Sequence, residues 1–331
     1  MATRGYSSYR GRNKGRLALI IGLATVLVIA VGLLLIQNYL VYDDTGKAHW
    51  EFPFSEKKDE GDKEPVIDPE DVNIQREEPA FAVGKKLAVM QAQELPLWYL
   101  AGDNSSILDD TPKSVVVNVK TNDGTLLYDS KVTVPEDVSK GNEDTLTQLK
   151  ALLTSDYAAV ARIACLCDNA YAYAMVDKAA LCDEDNDLWW DTYGRYWLDP
   201  AKEGTLTYVK ELCKECVSLG FDEIMLDYFG YPADWQGKAD RAAVLTKFMT
   251  NLRESLPEGT RISLFLQEMP SAENGLTAEL LNTAFDRIYF GDDINANALK
   301  ALLPKDFDAA MRLVPTVSEA AKSGSYMIAA D

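Results

Sequence analysis

The stretch that decides the fold is residues 205–228, TLTYVKELCKECVSLGFDEIMLDY. Its first fifteen residues alternate apolar and polar side chains at helical spacing and stop at Gly220, the residue that most readily ends a helix. Glu223–Leu226 (EIML) then reads as a short buried strand, and Asp227 and Tyr228 follow at once. An amphipathic helix feeding a buried strand is half of a parallel α/β repeat, and the polar pair after the strand falls where such repeats place their chemistry.

The same pattern recurs on either side. Strand-like runs are expected at Leu87–Met90, Val115–Val119, Ala159–Leu166, Ile262–Leu266, Arg287–Phe290, Met311–Val314 and Tyr326–Ala329, making eight with Glu223–Leu226. Helical stretches at Ala239–Ser255 and Thr277–Phe285 join the one at Thr205–Leu219. Eight strands alternating with helices over residues 81–331 predict a TIM-type (β/α)8 barrel. Carboxylates follow four of the strands directly, at Asp168, Asp227, Glu268 and the pair Asp292 and Asp293, while Lys120 ends the Val115–Val119 run.

Upstream of the barrel the charge order is informative. The 331-residue chain has a net charge of −19 and a single His, His49. Residues 1–16 carry +5 and no acid, residues 17–42 carry no charge, and residues 43–80 carry −8, which leaves −16 for residues 81–331. Leu17–Ile36 (LALIIGLATVLVIAVGLLLI) is long enough, at about 1.5 Å per residue, to cross the roughly 30 Å of hydrocarbon in a bilayer. Residues 17–42 are therefore expected to be an uncleaved transmembrane signal anchor, and the basic residues 1–16 its cytoplasmic tail. Residues 43–80, rich in Glu, Asp, Lys and Pro, read as an acidic disordered linker. This order predicts a single-pass protein of the cell membrane with its barrel on the extracellular side, touching the lipid bilayer through residues 17–42.

Composition also excludes functions. An acidic chain with no basic patch past residue 16 does not suit nucleic acid. With no His in residues 81–331, a Ser-His-Asp triad and the usual zinc site are out of reach. Cys213 and Cys216 form a lone C-x-x-C on the helical stretch, for which core packing is the favoured reading.

Residues 194–232 (GRYWLDPAKEGTLTYVKELCKECVSLGFDEIMLDYFGYP), with 114–130 (SVVVNVKTNDGTLLYDS) and 157–173 (YAAVARIACLCDNAYAY), resemble the bacterial putative glycosyl hydrolase domain family, a barrel family related to α-amylase-like glycosidases. The resemblance spans roughly residues 86–331 and implies a membrane-anchored glycoside hydrolase acting on an extracellular or cell-envelope polysaccharide, without a cofactor or metal. By analogy it makes Asp227 the nucleophile or charge-stabilising carboxylate and Glu268 the general acid, and puts Arg162 and Asp168 at or under the site. Tyr228, Trp197, Lys120 and Asp292 complete the expected substrate-binding set. Aromatic residues crowd 171–197, including Tyr171, Tyr173, Trp190, Tyr193 and Tyr196, and serve equally as a sugar platform or as loop packing. The chain departs from the family pattern at Asn118, at Gly230, at Leu266-Gln267-Glu268 and at Tyr289-Phe290-Gly291-Asp292. The alternative function is accordingly a catalytically inactive carbohydrate-binding or envelope scaffold barrel.

Overall fold

A computed structural model describes residues 40–42, 48–50, 87–102, 108 and 112–330. Contacts divide the chain into two units, Met1–Gln75 and Arg76–Asp331. In the first, β1 (Leu40–Tyr42) pairs antiparallel with β2 (Ala48–Trp50). The sequence reading gave these residues to the end of the anchor and the start of the linker; the rest of both segments, and the tail at 1–16, lies outside the described residues. Among the described residues no helix is long and apolar enough to cross a membrane.

The second unit is a closed eight-stranded barrel in the order β10-β3-β4-β5-β6-β7-β8-β9, with every neighbouring pair parallel. Its strands are β3 (Gln91–Glu94), β4 (Ser114–Lys120), β5 (Ala158–Ala164), β6 (Glu223–Asp227), β7 (Arg261–Leu266), β8 (Ile288–Phe290), β9 (Leu313–Val317) and β10 (Tyr326–Ile328). Among the described residues seven helices lie between them: α1 (Glu143–Leu153), α2 (Asn169–Ala174), α3 (Glu203–Leu219), α4 (Arg241–Glu254), α5 (Ala278–Ala284), α6 (Ala296–Leu302) and α7 (Ala309–Arg312). The predicted barrel is present, with two changes. The first strand is four residues later than Leu87–Met90, and β9 starts at Leu313 because Met311 and Arg312 finish a helix capped by Asp308. Residues 318–325 join β9 to β10 without a helix, whereas β5–β6 and β8–β9 are each joined by two.

The period of two along each strand sorts side chains between two cores. On β6, Ile224 and Leu226 face the helices and join the large outer cluster with Leu212, Cys213 and Cys216 of α3. Met225 faces inward, where it meets Met90, Ala92, Val116, Val160, Tyr289, Val314 and Met327 in a compact plug across the barrel interior. Helix α3 buries Thr205, Tyr208, Val209, Leu212, Cys213 and Cys216, the i, i+3, i+4, i+7 stripe that its sequence promised, and ends at Gly220 in the left-handed conformation (φ +104°). All five cysteines are free thiols. Burial pushes Cys165, Cys167 and Cys216 up to about 12, so these are packing residues rather than nucleophiles.

Candidate active site

The plug fixes what stands above it. Moving two residues toward the C-terminal end from each inward-facing position gives Glu94 above Ala92, Asn118 above Val116, Arg162 above Val160 and Asp227 above Met225. These four side chains meet. The Arg162 guanidinium donates from Nε (2.9 Å) and Nη2 (2.8 Å) to Asp227 Oδ2, and from Nη1 (2.6 Å) to Glu94 Oε1. Asn118 Nδ2 donates to the same Glu94 oxygen at 3.1 Å. The second oxygen of Asp227 accepts from Gln267 Nε2 at 2.6 Å and from the Tyr228 amide at 2.7 Å. Four donors on one carboxylate fix its rotamer. Burial works against the charge of Arg162, but Asp227 and Glu94 outweigh it and hold the guanidinium above its usual range. Below the guanidinium, the Phe265 ring lies 4.1 Å from its carbon and closes the layer from the plug side.

Tyr228 turns the chain out of β6 with φ +50°, a left-handed backbone that costs a non-glycine residue on the order of 1 kcal/mol. The turn leaves the ring between two cavities, one of about 500 Å³ over Asp227, Arg162 and Glu94, and one of about 560 Å³ that includes Trp197, Gln267 and Glu268. Its hydroxyl accepts from Asn122 Nδ2 at 3.4 Å, and its ring meets Trp197 edge-on at 6.0 Å. Burial and the neighbouring Asp227 raise its pKa, keeping it a phenol. Trp197 is held in turn by Asp191, whose Oδ2 accepts from Trp197 Nε1 (3.0 Å) and from Arg195 Nε (2.7 Å). Burial opposes the charge on Asp191; hydrogen bonds from Arg195 and Trp197 overcome it and set the carboxyl below its ordinary range.

The expected site residues divide in this geometry. Asp227, Arg162 and Tyr228 come together, and Asp227 is ion-paired with Arg162 beside the cavity. Trp197 is a wall of the larger cleft. Asp168 does not meet Arg162: it caps α2 by accepting from the Tyr171 amide at 2.7 Å and pairs with Lys120 at 2.9 Å, both side chains fully buried. Lys120 also donates to the Ala164 carbonyl at 2.6 Å and reaches the smaller cavity from beneath. Asp168 is thus a support for Lys120 rather than a wall of either cavity. Asp292 is exposed and lines neither; its neighbour Asp293 lines the larger. Glu268 stands on the larger cleft, while Gln267 makes the contact with Asp227, because β7 continues the inward parity of Phe265 to residue 267. Glu94 was missed, since the sequence reading ended the first strand at Met90, and the only signal for it was a carboxylate four residues past that end.

The aromatic segment divides between buried and exposed rings. Tyr171 stacks on Tyr208 at 3.9 Å and is buried, whereas Tyr173, Trp190 and Tyr193 are exposed. Among the described residues no group of His, Cys, Asp and Glu is placed to hold a metal ion.

With this geometry in hand, residues 106–269 match the model of a family described as "Putative glycosyl hydrolase domain". That stretch of the barrel is similar to a glycosyl hydrolase domain. The matched region runs from before β4 to the end of β7 and includes Asn118, Lys120, Arg162, Asp227 and Glu268 of the site. The domain is similar to a hypothetical protein from Ruminiclostridium thermocellum ATCC 27405 (25% identity, 52% of this chain and 96% of that one, TM-score 0.45). It is also similar to the alpha-galactosidase from Thermus thermophilus (13%, 54% and 38%, 0.38) and to the glycoside hydrolase domain of PelA from Pseudomonas aeruginosa (11%, 70% and 83%, 0.40). No curated protein matches the chain.

Proposed function

We propose that the barrel hydrolyses glycosidic bonds of a polysaccharide, with Asp227 as the ionised carboxylate at the anomeric carbon and Glu268 as the acid that protonates the leaving oxygen. The observation that carries this reading is Asp227 itself, a carboxylate held by four donors at the C-terminal end of a barrel strand and open to a cavity. Glycoside hydrolysis divides its work between one carboxyl that stays charged as positive charge grows on the sugar and one that carries a proton. Asp227 is built for the first task. Glu94 shares the guanidinium with it and accepts from Asn118, so it serves as the counter-ion that positions Arg162. Glu268, exposed on the cleft across Tyr228 and without a cationic partner among the described residues, is the carboxyl left to carry the proton. The charge order of residues 1–80 supports an anchored, outward-facing enzyme attached to the bilayer through residues 17–42.

Release of reducing ends from cell-envelope and environmental polysaccharides, measured for the full chain and for Asp227→Asn, tests the reading. The substitution is expected to lower activity by about a thousandfold or more while the fold persists. Equal activity in the two proteins overturns the assignment. Asn118 and Gly230, both at the barrel mouth and both departures from the family pattern, favour a second reading as a non-hydrolytic glycan-binding barrel. Binding without turnover of any glycan would select it.

A further inference from the structure

The two cavities are adjoining, and Tyr228 is the wall they share. Each runs out to an exposed aromatic side chain. On the Glu268 side it is Tyr193, 81% exposed, and on the Asp227 side it is Trp98, 54% exposed. Past Tyr193 the aromatic surface continues through Trp190, edge-on to Tyr196 at 6.5 Å, and Tyr196 lies 6.3 Å from Tyr173. Large rings left in water at both ends of a polar trough are suited to stacking on sugar faces, and a pocket that accepted only a chain end would need one closed wall.

Charge narrows the ligand. The lining carboxylates Glu94, Asp191, Asp227, Asp234, Glu268 and Asp293 outnumber the lining bases. Each base is already matched to an acid: Arg162 to Asp227 and Glu94, Arg195 to Asp191, Lys120 to Asp168. Asp234, Glu268 and Asp293 remain without a cationic partner among the described residues, all on the Tyr193 side and all exposed. The whole chain, at −19, adds to the same field.

From these observations we propose that the two cavities form one continuous trough for an interior stretch of a basic, amine-bearing polysaccharide, which is cut within the chain where it crosses Tyr228. The cut rests on the hydrolase reading above; the binding does not. Asp234 and Asp293 face the sugar amines, and Tyr193 and Trp98 stack on rings on opposite sides of the scissile bond.

The test uses the full chain carrying Asp227→Asn, titrated with glucosamine oligomers of two to eight units, with their fully N-acetylated counterparts and with polygalacturonate. Affinity for the amine series is expected to rise by about tenfold or more between two and six units, and to exceed that for the acetylated hexamer by about tenfold. Salt at 0.5 M should remove most of that preference, because exposed charges are screened within a few ångströms there. Tyr193→Ala and Trp98→Ala, both at exposed positions, should each flatten the length dependence, and Asp234→Asn with Asp293→Asn should reduce the amine preference. A flat length series, equal affinity for the acetylated series, or preferential binding of polygalacturonate overturns the trough. If amine oligomers bind as expected and the unsubstituted chain cleaves no glycan, the hydrolase reading fails and the trough stands. If the chain cleaves a glycan only by releasing monomers from an end, the hydrolase reading stands and the trough fails.

Discussion

The barrel holds two ionic networks, one at each end, and they are built from nearly the same parts. At the N-terminal end Glu223 on β6 pairs with Arg287, accepts from Ser263 Oγ at 2.6 Å and from Tyr289 Oη at 2.9 Å, and is 2% exposed. Arg287 extends the network to the Ala88 carbonyl at 3.0 Å. At the C-terminal end Asp227, on the same strand and the same inward face, pairs with Arg162 and extends through Glu94 to Asn118. The lower network is sealed beneath the apolar plug and lines neither cavity of the mouth. The upper one opens to a cavity of about 500 Å³. The difference teaches that a carboxylate–guanidinium pair is by itself no sign of chemistry. Four residues along one strand separate a pair that only holds the barrel shut from a pair with room for a substrate above it, and access is what distinguishes them.

That comparison can be broken by exchanging the effects. Arg287→Met strands a buried carboxylate, and removing one partner of a buried pair costs about 3 kcal/mol or more, so thermal or urea unfolding should show a large loss of stability. Activity per folded molecule should stay near that of the unsubstituted chain; a loss of turnover without a loss of stability would merge the two networks into one function. Arg162→Met should do the reverse in weight. It removes two donors from Asp227 and the counter-ion of Glu94, with a fall in turnover of about a hundredfold. Its cost in stability should be the smaller of the two, because these side chains are up to 14% exposed and water enters the cavity above them. If Arg162→Met proves the more destabilising and leaves turnover unchanged, the upper network is as structural as the lower.

A smaller effect separates the mouth from the aromatic cleft. The folded protein holds Asp191 below the usual carboxylate range, so its contribution is present above about pH 4, the ordinary Asp value, and is lost as acid carries the pH down through the lowered folded value. Protonation weakens the hold on Trp197 and Arg195. Tryptophan fluorescence of the native protein should therefore change in acid before global unfolding, and Asp191→Asn should abolish that early change. An unaltered profile in Asp191→Asn would remove Asp191 as the keeper of the cleft wall. The least of the expected effects concerns thiols: in the native protein a polar thiol reagent should label Cys182 alone, the one cysteine that is not buried, and all five after unfolding. Rapid labelling of Cys213 or Cys216 in the native state would mean that α3 does not pack as described.

How much of this was legible beforehand differs by residue. Asp227 and Tyr228 could be placed because Ile224–Leu226 is an apolar run whose end is unambiguous, and the C-terminal end of a barrel strand is where function collects. Glu268 was a carboxylate after a strand of the same kind, but a period of two makes one residue decisive, and the register of β7 gave the inward place to Gln267. Glu94 ends a strand, Gln91–Glu94, that is less apolar than the Leu87–Met90 stretch before it, so hydrophobicity pointed to the wrong four residues. Asp168 and Arg162 sit on one strand-turn segment, yet the closing of the barrel brought Lys120 from β4 to Asp168 and Asp227 from β6 to Arg162.

Local sequence therefore determined the alternation of strand and helix, the closed parallel barrel, the charge order of the first eighty residues and the position of Asp227, because each depends on neighbours within a few residues or on composition. The tertiary structure alone decided which guanidinium meets which carboxylate, that Glu94 stands beside Arg162, and that Tyr228 lines two cavities. Those outcomes depend on how strands distant in the chain are registered against each other around a closed sheet, and a shift of one residue there reverses the side on which a side chain stands.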